Sequence, residues 1–237
     1  MNLKVKAKKC SFFKPEVQFL GHVVTANGIK TDPVKTEVIR NAARPTNVSV
    51  LRSFLGLMSY YRKFIKDFAK IAKCLHVLTS KETKWNWTDE CDHAFHTLKE
   101  KLVSAPILGY PDPKAGQFIL DTDASNNAIG CVLSQVQENC ERVIAYGSRA
   151  LTTAEINYCV TRKEMLAVVY FMKYFKHYLL AKEFILRTDH GSLTWLHRFK
   201  EPDGQICRWL QQIGPFNFKI VHRPDKEILM QMVYLGS

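Results

Sequence analysis

The 237-residue chain is 46% apolar, 24% charged and 11% aromatic, a globular profile that excludes wholesale disorder, a collagen-like repeat and a membrane bundle. Its net charge of +12 is uneven: residues 1–114 hold 20 Lys and Arg against 10 Asp and Glu, and residues 115–237 hold 14 against 12. A basic half beside a nearly balanced one suggests a polyanion-gripping module joined to a region with another task, the plainer alternative being a soluble basic surface.

In chain order, a lysine-rich opening over residues 4–14 leads to two β-type runs, 17–20 and 22–25, separated by Gly21 and followed by the turn pair Asn27-Gly28. Pro33 and Pro45 bracket a short helix over 34–43. From 48 to 73 apolar residues recur at helical spacing (Leu51, Phe54, Leu55, Met58, Tyr61, Phe64, Ile65, Phe68), opposite Arg52, Arg62, Lys63, Lys66 and Lys70. This predicts one amphipathic helix with a basic outer face, capped by Thr46 or Asn47. A further helix is predicted over 88–103, and Pro106, Pro111, Asp112 and Pro113 form a stiff connector and candidate domain boundary. Beyond it come strands at 117–123, 128–135 and 142–148 and a long helix over 153–180. A strand at 184–189, helical pieces at 192–197 and 203–213, and a strand at 216–222 complete the pattern. That order is a mixed α/β layout, with antiparallel hairpins feeding parallel crossovers.

Asp123 and Asp189 end predicted strands, where α/β ligand sites form, and Glu164 borders the apolar face of the long helix. Three carboxylates can converge only if cations neutralise them. Hard divalent ions are the natural partners, and a pair of them can serve phosphodiester hydrolysis. Acidic residues at strand ends are also ordinary turn formers. Asp121 shares a strand face with Asp123 and is its rival. No apolar run reaches the roughly 18 residues of a spanning helix, and the N-terminus lacks a secretory apolar core. The seven cysteines include no CxxC pair and fit a reducing interior, hence an intracellular protein, cytoplasmic or nuclear.

The run Phe118-Ile-Leu-Asp-Thr-Asp-Ala-Ser125, with Gly130 and Val132-Leu-Ser-Gln135, resembles the ribonuclease H domain of gypsy-type retrotransposon Pol proteins. Ala145-Tyr-Gly-Ser-Arg149, Glu164-Met-Leu-Ala-Val168, Arg187-Thr-Asp-His190, Arg208-Trp-Leu210 and His222-Arg-Pro224 follow in order. Upstream, Phe19-Leu-Gly-His22, Leu51-Arg-Ser-Phe-Leu-Gly56 and Tyr60-Tyr-Arg-Lys-Phe64 resemble the thumb and connection of the same Pol. The resemblance implies a ribonuclease H-like five-stranded mixed sheet with helices, over residues 115–237. A mainly helical thumb and connection with a small β-hairpin, without the polymerase palm, would occupy 1–114. It further implies hydrolysis of the RNA strand of RNA–DNA hybrids with two Mg²⁺ (or Mn²⁺) ions, carried by Asp123, Glu164 and Asp189, with His190 as an auxiliary. Phe19, Leu20, Gly21 and His22 would form a primer-grip-like hairpin, and Arg52, Arg62, Lys63 and Lys66 would contact phosphates of a hybrid or primer–template duplex. The other partner implied is the remainder of a Pol polyprotein. The alternative is a catalytically dead nucleic-acid-binding remnant.

One departure bears on activity. The family closes with an Asn-Ala-Asp-Ala/Gly-Leu-Ser-Arg motif that bears a fourth carboxylate, whereas residues 227–237 read Glu-Ile-Leu-Met-Gln-Met-Val-Tyr-Leu-Gly-Ser. Codons for Met-Gln-Met-Val read one base upstream can spell Asn-Ala-Asp-Gly, so a base lost near 227–228 would explain the ending. The expectation is a truncated element copy with impaired activity.

Overall fold

The computed structural model describes residues 13–180, 182–189 and 204–222. The predicted helical piece at 192–197, His190 and residues 223–237 lie outside them, as does most of the lysine-rich opening.

Strands β1 (Glu16–Phe19), β2 (His22–Thr25) and β3 (Gly28–Thr31) make an antiparallel meander, one strand more than the predicted hairpin. Leu20 (φ 45°) and Gly21 (φ 67°) form its first turn. The left-handed conformation is cheap for Gly21 and costs Leu20 about 1–2 kcal/mol. Tyr60 and Tyr61 donate their hydroxyls to the carbonyls of Leu20 and Gly21 and hold the turn. At the second turn only Gly28 takes positive φ (142°). Its need is close approach, because an added Cβ would sit 2.2 Å from Leu108 O.

Helix α1 (Pro33–Arg40) starts with Asp32 as cap and Pro33 in its first turn. Helix α2 (Val48–Tyr60) starts at Asn47, whose Oδ1 accepts from Val50 N at 3.0 Å. The single helix predicted over 48–73 is not formed. After Tyr60 the chain makes a 3-10 turn (Arg62–Phe64), turns left-handed at Asp67 (φ 60°) and continues as α3 (Phe68–Ile71) and α4 (Lys73–Val77). The apolar spacing survived the break because Tyr61, Phe64, Ile65 and Phe68 are all buried in the same core. Periodicity reports which residues face inward; it is blind to a tight bend that keeps them there. Helix α5 (Asp89–Val103) is capped by Thr88 and carries Asp89, Glu90 and Asp92 in its first turn, where the helix dipole favours them.

The second sheet has strands β4 (Phe118–Ala124), β5 (Ala128–Gln137), β6 (Cys140–Ala150), β7 (Phe184–Thr188) and β8 (Phe218–His222), in the order β6-β5-β4-β7-β8. The pairs β6/β5/β4 are antiparallel and β4/β7/β8 parallel, a mixed α/β sheet as expected. Between β6 and β7 the predicted long helix is broken into α6 (Thr153–Ile156), α7 (Val160–Tyr174) and α8 (Lys176–Leu179). Helix α6 is closed by a capping box between Thr152 and Glu155. Helix α7 packs Met165, Leu166, Val168, Val169 and Met172 onto Phe118, Leu120, Leu133 and Leu186. Helix α9 (Gly204–Ile213) adds Trp209 and Ile213 to that core. Strand β6 touches both apolar clusters: Ile144 lies in the α7 core, while Val143 and Tyr146 pack against the helical core of the N-terminal region. No described helix is long and apolar enough to cross a membrane.

Candidate active site

Parallel pairing of β4 with β7 sets Asp121 beside Arg187 and Thr122 beside Thr188, so the next residues along the two chains, Asp123 and Asp189, emerge side by side at the carboxyl ends, on the face of Asp121 and Arg187. Helix α7 brings in Glu164, which is 3% exposed and accepts a hydrogen bond from Ala124 N at 3.1 Å through Oε1. One carboxylate oxygen from each of Asp123, Glu164 and Asp189 lies within 4.8 Å of the others. Asp123 faces solvent and Asp189 is half-buried. From β8, His222 Nε2 lies 2.9 Å from the Asp189 carbonyl oxygen, fixing the backbone that presents the carboxylate.

Electrostatically the site is unbalanced. Loss of hydration pushes the Asp123 carboxyl above its ordinary value, Asp189 and then Asp67 push it further, and Lys70 and Lys66 oppose them. Asp189 Oδ1 is buried without a hydrogen-bond partner among the described residues. A buried oxygen of this kind beside two more carboxylates, all hard donors, fits a divalent cation such as Mg²⁺. On the opposite strand Gly130 is paired with Asp123, and a Cβ added there would stand 3.0 Å from Asp67 Oδ1.

Asp121, the rival on the same face, is committed elsewhere. Arg187 Nε reaches Asp121 Oδ1 at 2.6 Å, and the same guanidinium reaches Glu141 at 2.5–2.9 Å. Ser134 Oγ donates to Glu141 at 2.6 Å. This network ties β4, β5, β6 and β7 together and leaves Asp123 in the convergent group.

The predicted nucleic-acid contacts divide into two kinds. Phe19 (63% exposed) and Leu20 (73%) stand open at the turn with Gly21. His22 stacks on Phe64, and its Nδ1 lies 2.9 Å from Leu20 O and 3.1 Å from Tyr60 Oη; burial lowers its pKa. Arg52 donates to Thr79 O at 2.7 Å, closing a helix-end carbonyl. Arg62 donates to the carbonyl of Ser148 on β6. Lys63 lies over the Phe64 ring at 5.3 Å, and burial lowers its pKa. Lys66 is half-buried near Asp123. The sequence reading missed Asp67 at the carboxylates, Arg187 as the holder of Asp121, and Lys70 as a member of the site. Arg187 could have been found from its two-residue offset to Asp189 on the same strand face.

Residues 87–186 match the model of the RNase H-like domain found in reverse transcriptase. The chain is 43% identical over 228 residues to the retrovirus-related Pol polyprotein from transposon 297 of Drosophila melanogaster, an alignment that covers 95% of this chain and 21% of the relative. The chain belongs to the gypsy-type transposon Pol family. Within that family it is also 37% identical to the Pol polyprotein from transposon gypsy of the same fly, over 95% of this chain and 23% of that one. The Tf2-3 polyprotein of Schizosaccharomyces pombe is 33% identical, over 94% and 17%. The chain thus spans about a fifth of the length of these Pol relatives and corresponds to their reverse transcriptase/ribonuclease H-like region. Among solved structures, a foamy viral protease-reverse transcriptase with ds DNA superposes at TM-score 0.77 with 22% identity, over 92% of this chain and 40% of that one. The same enzyme with an RNA/DNA hybrid superposes at 0.74, over 92% and 31%. These likenesses establish the ribonuclease H-type fold of this Pol segment.

Proposed function

We propose that this Pol segment hydrolyses the RNA strand of RNA–DNA hybrids endonucleolytically. In this reading residues 115–237 carry the hydrolytic centre, and residues 1–114 grip the duplex. The observation that carries the reading is the convergence of Asp123, Glu164 and Asp189 within 4.8 Å at the ends of β4, α7 and β7. Asp123, Glu164 and Asp189 would hold two divalent ions, which when bound supply water activation and charge neutralisation at the leaving oxygen. Glu164, buried and tethered to Ala124 N, keeps its carboxylate in one orientation. Exposed Asp123 meets the substrate side. The Arg187 network holds the two aspartate-bearing strands in register, so positioning costs no reorganisation during reaction. That the relatives are larger Pol polyproteins supports a segment working within one, and the hybrid-bound neighbour supports the choice of substrate. Residues 228–237 carry no acidic side chain where the resemblance implies a fourth carboxylate, and a reduced rate is part of this proposal.

The test is incubation of the purified chain with labelled hybrid. RNA fragments should appear with Mg²⁺ or Mn²⁺ and not with chelator, and Asp123→Asn should lower the rate by roughly 10³-fold, about 4 kcal/mol of barrier. Cutting that survives both changes overturns the reading. So does tight hybrid binding with no cutting, the outcome of a binding-only remnant.

A further inference from the structure

Beside the carboxylates lies a small, open recess of about 10 Å³ whose lining includes Asp67, Lys70, Asp123, Ser125, Gly130 and Ser148. Asp67 and Lys70 bring the N-terminal region into this wall, and that region is built firmly onto the sheet. Ala69 N donates to Ser148 Oγ at 3.0 Å, Arg62 donates to Ser148 O, and Phe68 is 3% exposed. Two ammonium groups stand on this platform, four residues apart across the left-handed Asp67: Lys66, half-buried, and Lys70, exposed. Lys70 lines the recess together with Asp123 and Lys66 precedes it in the chain. The charges of both act on Asp123, and neither forms an ion pair with any described residue. By contrast Arg52, Arg62 and Lys63 are occupied by internal contacts.

We propose that Lys66 and Lys70 form the phosphate-gripping wall of the carboxylate site, so that the N-terminal region supplies part of the surface on which the substrate strand lies. The proposal rests on the nucleic-acid reading above and deepens it. Cations meant only to neutralise the carboxylates would pair with them, whereas ammonium groups held nearby and unpaired suit the phosphates flanking a bond presented to those carboxylates. The platform geometry makes them positioning residues with a fixed place relative to Asp123.

The test uses the full chain, a fluorescent RNA–DNA hybrid and Ca²⁺, with binding followed by anisotropy across a salt series. Lys70→Ala should weaken binding about 5–10-fold, and Lys66→Ala with Lys70→Ala about 50-fold. The slope of log affinity against log salt should fall by about one per lysine removed. Lys70→Arg should restore most of the affinity. Lys101→Ala, an exposed lysine on α5 used as a charge-matched control, should stay within about twofold of wild type. If Lys70→Ala behaves like Lys101→Ala, or if the wild type does not bind hybrid, the proposal fails. It also fails if Lys70→Arg is as weak as Lys70→Ala with a lowered melting temperature, which marks a packing role. A wild type that binds with these dependences and cuts nothing sinks the nuclease reading alone.

Discussion

Two clusters of charge lie a few residues apart on one sheet face and are treated in opposite ways. Around Asp121 the carboxylates are paid off by Arg187, with Glu141 and Ser134 completing a closed network. Around Asp123 three carboxylates converge, while the neighbouring guanidinium of Arg187 is engaged by Asp121 and Glu141. The same residue type two positions along one strand is structural in the first case and chemically poised in the second. What separates them is whether β7 offers a guanidinium or another carboxylate at the matching register: Asp121 pairs with Arg187, and Asp123 falls beside Asp189. Convergence of carboxylates at strand ends is a sharper pointer to a candidate site than acidity alone.

The largest expected effect that would break this comparison comes from Arg187→Met. It should strand Asp121 and Glu141 without their partner and destabilise the fold by about 3 kcal/mol, read as a lower denaturation midpoint. An unchanged midpoint would mean that the first cluster is no more structural than the second.

Asp123→Asn sharpens the contrast in the other direction. Partial loss of hydration at the carboxyl and the neighbouring acids raise the Asp123 carboxyl above its ordinary 3.8, so the native state holds that proton more tightly than the unfolded chain. Its contribution is favourable below the ordinary value and is lost as pH rises through the raised one. In chelator at neutral pH, Asp123→Asn should therefore raise the melting temperature slightly, and the gain should vanish on acidification below the ordinary carboxylate range. Added Mn²⁺ should raise the melting temperature of the wild type and not of the variant. Melting scans over pH, with and without Mn²⁺, check both.

The smallest effect concerns the basic region. Tyr61→Phe removes the donor to Gly21 O and should cost about 1 kcal/mol, with hybrid affinity reduced only through the loosened turn at Leu20. A loss of affinity as large as that expected of Lys70→Ala would shift the nucleic-acid surface from the site wall to the meander tip.

Much of the fold was legible in the residues. The cap at Thr46 or Asn47, the helix start near Thr88, the prolines around α1, the five strands of the second sheet and the inward stripe of α7 all appear in local pattern, because they are local or periodic effects. The bends after Tyr60 and before Val160 were not legible. There the same burial pattern accommodates a straight helix and a broken one, and tertiary packing chose the break. At the site, Asp123, Glu164 and Asp189 were named from their places at strand ends and on the helix border, together with the motif resemblance. Asp123 was preferred to Asp121 only through the resemblance, by its place before Ala124-Ser125, since two-residue alternation leaves the two equivalent.

The amino-acid order by itself determined which residues turn inward, where most elements begin, and which acidic side chains stand at strand ends. Only the folded chain decided which carboxylate meets a guanidinium, which lysines lack an ion pair among the described residues, and that Asp67 and Lys70 stand across from Asp123. Burial preference is a property of each residue and its near neighbours, whereas charge pairing depends on which distant strands and helices come into register, and that is set by the packing of the whole.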